Sequence, residues 1–163
     1  MLNRVVLILA AGLAVQAGLW AQNAPVGVAA ERNVTLTAAT EAAQATVDKC
    51  RADGFRVSVV VIDRGGNIKA TLRDDGSSPH TVDTARKKAL TSFFFRIPSA
   101  DFVGRVAANP GLRDIKDTIA LGGGLPLRSG GEVVGAIGVG GAPSGDADQA
   151  CAQAGVDRIT GKL

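Results

Sequence analysis

Between residues 57 and 72 the chain switches from a continuous apolar run to strict alternation. Val57, Val59, Val60, Val61 and Ile62 form a β-branched run, and after Arg64-Gly65-Gly66-Asn67 the residues Ile68, Ala70 and Leu72 alternate with Lys69, Thr71 and Arg73. The first pattern predicts a strand buried on both faces, the second a strand with one wet face. The glycine pair between them supplies the φ > 0 positions of a tight turn. Residues 125–128 and 132–139 predict a second hairpin turning at Ser129-Gly130-Gly131. Ile119 to Leu121 predicts one further short strand, closed off by Gly122-Gly123-Gly124.

Helical spacing fills the remainder. A first helix is expected from about Thr37, with Ala39, Ala43, Val47 and Cys50 on one face and Gly54 as its left-handed stop. A second runs from His80 to Phe94 with Val82, Ala85, Ala89 and Phe93 as its apolar stripe, and Pro98 prevents its continuation. Ser99 suits the N-cap of a third helix that ends at Asn109-Pro110-Gly111, and the polar stretch 111–118 reads as a loop. Ser144 opens the last helix, whose Ala147, Cys151, Gly155 and Ile159 lie in one row. The order α-β-β-α-α-β-β-β-α, with strands joined mainly by hairpins, predicts an α+β domain: an antiparallel sheet of about five strands with helices packed on it.

The N-terminus does not belong to this domain. Arg4 followed by a mainly apolar stretch to Leu19 and the small Ala21 reads as a secretory signal peptide over residues 1–21, too short for the roughly 20 apolar residues of a membrane span. Residues 22–34 carry Pro25 and Gly27 without periodicity and read as a flexible leader; residues 35–163 form the folded domain. No membrane span is expected after cleavage, and the protein is expected to be periplasmic or secreted.

Composition narrows the function by exclusion. Cleavage removes one basic residue, Arg4, from 18 against 15 acidic ones, and leaves a net charge of +2 with the cations scattered. With five Phe, no Tyr and the single Trp lost with the signal peptide, there is no basic stripe and no stacking platform, so no nucleic-acid partner is expected. One histidine excludes a multi-histidine metal site, no GxSxG elbow is present, and Gly138 and Gly140 lack the third glycine of a dinucleotide fingerprint. Those glycines read better as sites of close packing against a helix or a neighbouring subunit. Cys50 and Cys151 are an even pair in a chain that reads as exported. They favour a disulfide over two buried thiols, closing a loop of about a hundred residues worth roughly 4–5 kcal/mol in the chain-entropy model.

His80 follows Pro79 at the start of the second helix. By itself it reads as a capping or surface residue rather than a ligand, just as Arg86-Lys87-Lys88 reads as a solvated face rather than a site. The segments VSVVVIDRGGNIKATLRDDG, HTVDTARKKALTSFFFR and GGLPLRSGGEVVGAIGVGGAPSGDADQACAQAG change that balance. Together they resemble the GlcG/HbpS family of small haem-binding proteins, over nearly all of residues 35–159. The resemblance implies a profilin-like arrangement, a homo-oligomer, and haem as cofactor. It implies His80 as axial ligand of the haem iron, with Thr81 as the alternative, and Arg86 with Lys87 or Lys88 on the propionates. Phe94, beside Phe93 and Phe95, would give apolar contact to the macrocycle. The expected role is an exported haem-binding protein in haem capture, buffering or sensing in the cell envelope. A haem-degrading enzyme and a cofactor-free oligomeric accessory module are the alternatives.

Overall fold

A computed structural model describes residues 27–163, so the expected signal peptide and residues 22–26 of the leader lie outside the described residues. In the body formed by Arg32–Leu163 the chain order is α1 (Leu36–Ala52), β1 (Ser58–Asp63), β2 (Ile68–Arg73), α2 (Thr81–Phe95), α3 (Ser99–Ala108), β3 (Gly124–Ser129), β4 (Glu132–Gly140) and α4 (Gly145–Ile159). A short 3-10 turn, Pro110–Asp114, occupies the start of the stretch expected to be a loop. The architecture is α+β, as expected. No helix among the described residues is long and apolar enough to cross a membrane.

The sheet has four strands in the order β2-β1-β4-β3, each pair antiparallel, rather than about five. The strand expected at residues 119–121 does not form because helix side chains satisfy its backbone. The Ile119 N–H donates to Thr91 Oγ1 at 2.8 Å, and the Leu121 carbonyl accepts from Ser99 Oγ at 2.7 Å. Ser99 is therefore not an N-cap. It is buried within α3, follows Pro98 at the cap position, and also accepts the Gly124 N–H at 2.8 Å.

β1 is buried along its whole length, as its apolar run predicts. Its alternate residues feed two cores. Val59 and Val61, with Val57 just before the strand, pack with α1 and α4, while Val60 and Ile62 pack with Ala85, Ala89 and Leu90 of α2. Val34, expected in the leader, is already buried in the first core and donates its N–H to the Val134 carbonyl at 3.2 Å.

Small residues bring α1 and α4 together. Ala39, Ala42 and Ala43 are fully buried, and a Cβ on Gly155 would stand 2.2 Å from Thr46 Oγ1. The Cys50–Cys151 disulfide joins the two helices across this seam.

On the opposite face α2 lies close to the sheet because glycines face it. A Cβ on Gly138 would stand 2.0 Å from the Ala85 carbonyl oxygen, and one on Gly124 2.1 Å from that of Lys88. Glycine in a strand interior marks such a close approach. The closeness turns α2 from its expected stripe. Thr81, Ala85, Lys88, Ala89 and Ser92 are buried, Val82 and Phe93 only partly, and Phe94 is exposed. Of the two expected uses of the β4 glycines, close packing against a helix is the one observed at Gly138 and Gly140, both of which face α2.

Candidate functional site

α2 is pinned at its start by hydroxyls. Thr81 Oγ1 donates to the Ser78 carbonyl at 2.6 Å and lies 2.7 Å from Ser58 Oγ and 2.8 Å from Ser77 Oγ. All three hydroxyl residues are buried, so one donor and two neighbours fill the hydrogen-bonding capacity of Thr81. His80 sits one residue earlier, at the N-cap position. Its carbonyl accepts the Thr84 N–H at 3.1 Å, but its side chain makes no capping bond and is exposed.

From this point His80, Thr84 and Lys88 succeed one another at intervals of four along α2 and line one cleft of about 610 Å³. That volume is within the ~300–1,000 Å³ typical of small-molecule and cofactor sites. The opposite wall is the loop from Gly141 to Gly145 that leads into α4. Phe55, Leu121 and Pro143 contribute apolar residues to the lining, and Arg56 a cationic one. Gly141 adopts φ 129°, and a Cβ there would stand 2.7 Å from the Arg56 carbonyl oxygen, which explains glycine at this corner.

Lys88 does not lie on a solvated face. Its Nζ contacts Asp148 Oδ2 at 2.5 Å, with both side chains no more than 4% exposed. Asp148 Oδ1 also accepts the Ala142 N–H at 3.0 Å, so one carboxylate ties α2, α4 and the intervening loop. Burial pushes the Asp148 carboxyl above the usual carboxylate range, against the pull of Lys88. The triple glycine wraps this pair: a Cβ on Gly123 would stand 2.7 Å from Asp148 Cβ and 3.0 Å from Lys88 Nζ.

The cleft thus brings together His80, Thr81 and Lys88 of the residues singled out in the sequence. Arg86, Lys87 and Phe94 do not line it. Arg86 Nη2 pairs with Asp83 at 3.0 Å and Asp117 at 2.6 Å, and Lys87 Nζ pairs with Asp83 at 2.8 Å. The Lys87 ammonium and the Arg86 guanidinium hold the Asp83 carboxyl below its ordinary value, and Arg86 does the same for Asp117. Phe94 is 49% exposed and stacks obliquely on Phe93. Arg56 and Asp148 were missed in the sequence. Arg56 stands just before the first quoted segment and Asp148 within the third, but each meets its partners only through the folded chain.

Comparison with known proteins gives consistent matches. The family described as "Haem degrading protein HbpS-like" matches residues 34–157. A crystal structure of an HbpS double mutant from Streptomyces reticuli is 44% identical with a TM-score of 0.78, covering 80% of this chain and 89% of that one. The ORFY protein of Klebsiella pneumoniae is 27% identical with a TM-score of 0.76, covering 82% and 95% respectively. An uncharacterised 15.0 kDa protein from the dhaT-dhaS intergenic region of Citrobacter freundii is 32% identical over 113 residues, 66% of this chain and 80% of its own length.

Proposed function

The chain belongs to the HbpS-like family of haem-degrading proteins, and from that membership we propose that it binds haem in the His80 cleft and serves in haem capture, buffering or sensing in the cell envelope. The observation that carries this reading is an exposed imidazole with no capping bond at the rim of a cofactor-sized cleft. Haem, when bound, supplies an iron that accepts an axial nitrogen or oxygen ligand. His80 has a ring nitrogen to offer. The Thr81 hydroxyl is buried and already committed to Ser58, Ser77 and Ser78, so His80 is preferred as ligand. Phe55, Leu121 and Pro143 would meet the apolar faces of the macrocycle.

The test is a haem titration of the purified protein beside His80→Ala and Thr81→Ala. A Soret band that shifts and weakens in His80→Ala supports the reading. A band altered only in Thr81→Ala moves the ligand to Thr81, and no band in the wild-type protein refutes haem binding. A haem-degrading activity is the second reading, favoured by the family's description, and it would appear as bleaching of that band with reductant and oxygen.

The envelope location rests on the N-terminal sequence pattern and on the Cys50–Cys151 disulfide, a bond that persists in oxidising compartments. Mass spectrometry of the envelope fraction should find a chain starting near Gln22; an intact N-terminus would oppose export. Assembly into at least a dimer is part of the same proposal. Exposed apolar residues including Phe94 and Val103 support it, and a monomeric mass by light scattering at micromolar concentration would refute it.

A further inference from the structure

We propose that Arg56 is the residue of the cleft that takes a ligand carboxylate, which on the haem reading above is a propionate. Two described lysine or arginine residues line the cleft, Arg56 and Lys88. The charge of Lys88 is matched by Asp148 at 2.5 Å in a place that water scarcely reaches. Withdrawing it would leave a buried carboxylate uncompensated, which is costly.

Arg56 is held differently. Its side chain is 52% exposed, its Nε lies 3.9 Å from Asp74 Oδ2, and its Nη1 donates to the adjacent Phe55 carbonyl at 3.3 Å. Asp74 Oδ2 has no hydrogen-bond partner, so the contact with Arg56 is one of charge alone. The tight partner of Asp74 is Arg51, whose Nε and Nη2 reach Oδ1 at 2.9 and 2.5 Å. Arg56 can therefore turn to a ligand while Asp74 keeps its main counter-charge.

The fold sets Arg56 and His80 on one cleft. Ser58, two residues after Arg56, bonds Thr81, the residue after His80, at 2.7 Å. Gly141 presses on the Arg56 carbonyl from the other side, and the Arg56 stem passes Gly76, where a Cβ would stand 4.0 Å from its Cγ. A planar guanidinium with parallel N–H groups matches a carboxylate in a way an ammonium does not.

The experiment titrates wild-type protein, Arg56→Gln, Arg56→Lys and Arg86→Gln with haemin and with haemin dimethyl ester, whose carboxylates are blocked. Arg56→Gln is expected to weaken haemin binding about three- to tenfold, less at high salt, with an unmoved Soret maximum. It should leave the diester's affinity unchanged, and Arg56→Lys should recover part of the loss. Arg86→Gln, outside the cleft, should titrate as wild type. The assignment of Arg56 is overturned if Arg56→Gln binds haemin normally, if haemin and diester lose affinity equally, or if Arg86→Gln loses as much. A wild-type protein with no Soret response removes the haem reading together with this one, whereas the other failures remove this one alone.

Discussion

Lys88 and Asp148, sixty residues apart in sequence, meet at 2.5 Å beneath the cleft and fasten α2 to α4. Removing one partner of such a pair strands the other charge in a dry place, which costs about 3–5 kcal/mol. Lys88→Met should therefore lower stability by about that much. The double variant Lys88→Met/Asp148→Leu should recover part of it, because apolar side chains need no counter-charge, although the Ala142 N–H loses its Asp148 acceptor. Urea denaturation of the two variants checks this; equal losses in both would contradict it.

The neighbours His80 and Thr81 should respond in opposite ways when no ligand is present. Thr81→Ala leaves the buried hydroxyls of Ser58 and Ser77 without their shared partner and should cost about 1–3 kcal/mol. His80→Ala removes an exposed side chain without a capping bond and should stay within about 0.5 kcal/mol of wild type. Thermal melts of the two proteins suffice, and the reverse ranking would refute the assignment.

Two glycines test the packing of helix on sheet. Gly138→Ala would drive a methyl into the Ala85 carbonyl oxygen and should prevent folding or destabilise by more than about 4 kcal/mol. Gly104, exposed within α3 with nothing within 4 Å of an added Cβ, should tolerate alanine. There the substitution should stabilise by about 0.5–1 kcal/mol. A mild effect at Gly138 would mean that α2 can lift from the sheet.

Acid stability should depend on Asp74. The Arg51 guanidinium and the Asp75 N–H hold its carboxyl below the ordinary carboxylate range, against the opposing effect of burial. Because the folded state depresses this pKa, the contribution is complete above the unfolded value of about 3.9 and is lost as pH falls through the folded value. Asp74→Asn should therefore be less stable than wild type at neutral pH, with the gap closing as acid is added. Parallel pH profiles for the two proteins would refute this.

Cys50 and Cys151 should not react with thiol alkylating reagents, being joined to one another, and their bond should resist reduction in the native protein, since both cysteines are fully buried. Removing it should cost about 2–5 kcal/mol, seen as a lower denaturation midpoint in reductant. Identical midpoints with and without reductant would count against its contribution.

What the sequence made legible was local. Each hairpin carries its strand pattern and its turn glycines within about twenty residues, and both hairpins form where expected. The first and last helices follow their own spacing, down to the row Cys151, Gly155 and Ile159. The orientation of α2 was not legible. It is set by Gly124 and Gly138, which follow it by tens of residues and admit a polar, small-residue face to the sheet. Lys88 consequently looked like part of a solvated cationic run, although its counter-charge waited on the last helix. The false strand at Ile119 has the same origin: its backbone partners are the side chains of Thr91 and Ser99.

The bond between α1 and α4 has a mechanical consequence. The two cysteines stand 101 positions apart, and the stretch between them contains all of β1–β4 and the whole cleft-bearing α2. Tension applied to the ends of the folded domain can unwind α1 up to Cys50 and α4 back to Cys151. Beyond those points the pull passes through sulfur and bypasses the sheet. His80 and its cleft lie inside a closed covalent ring, so tension on the termini cannot stretch the backbone between the two cysteines.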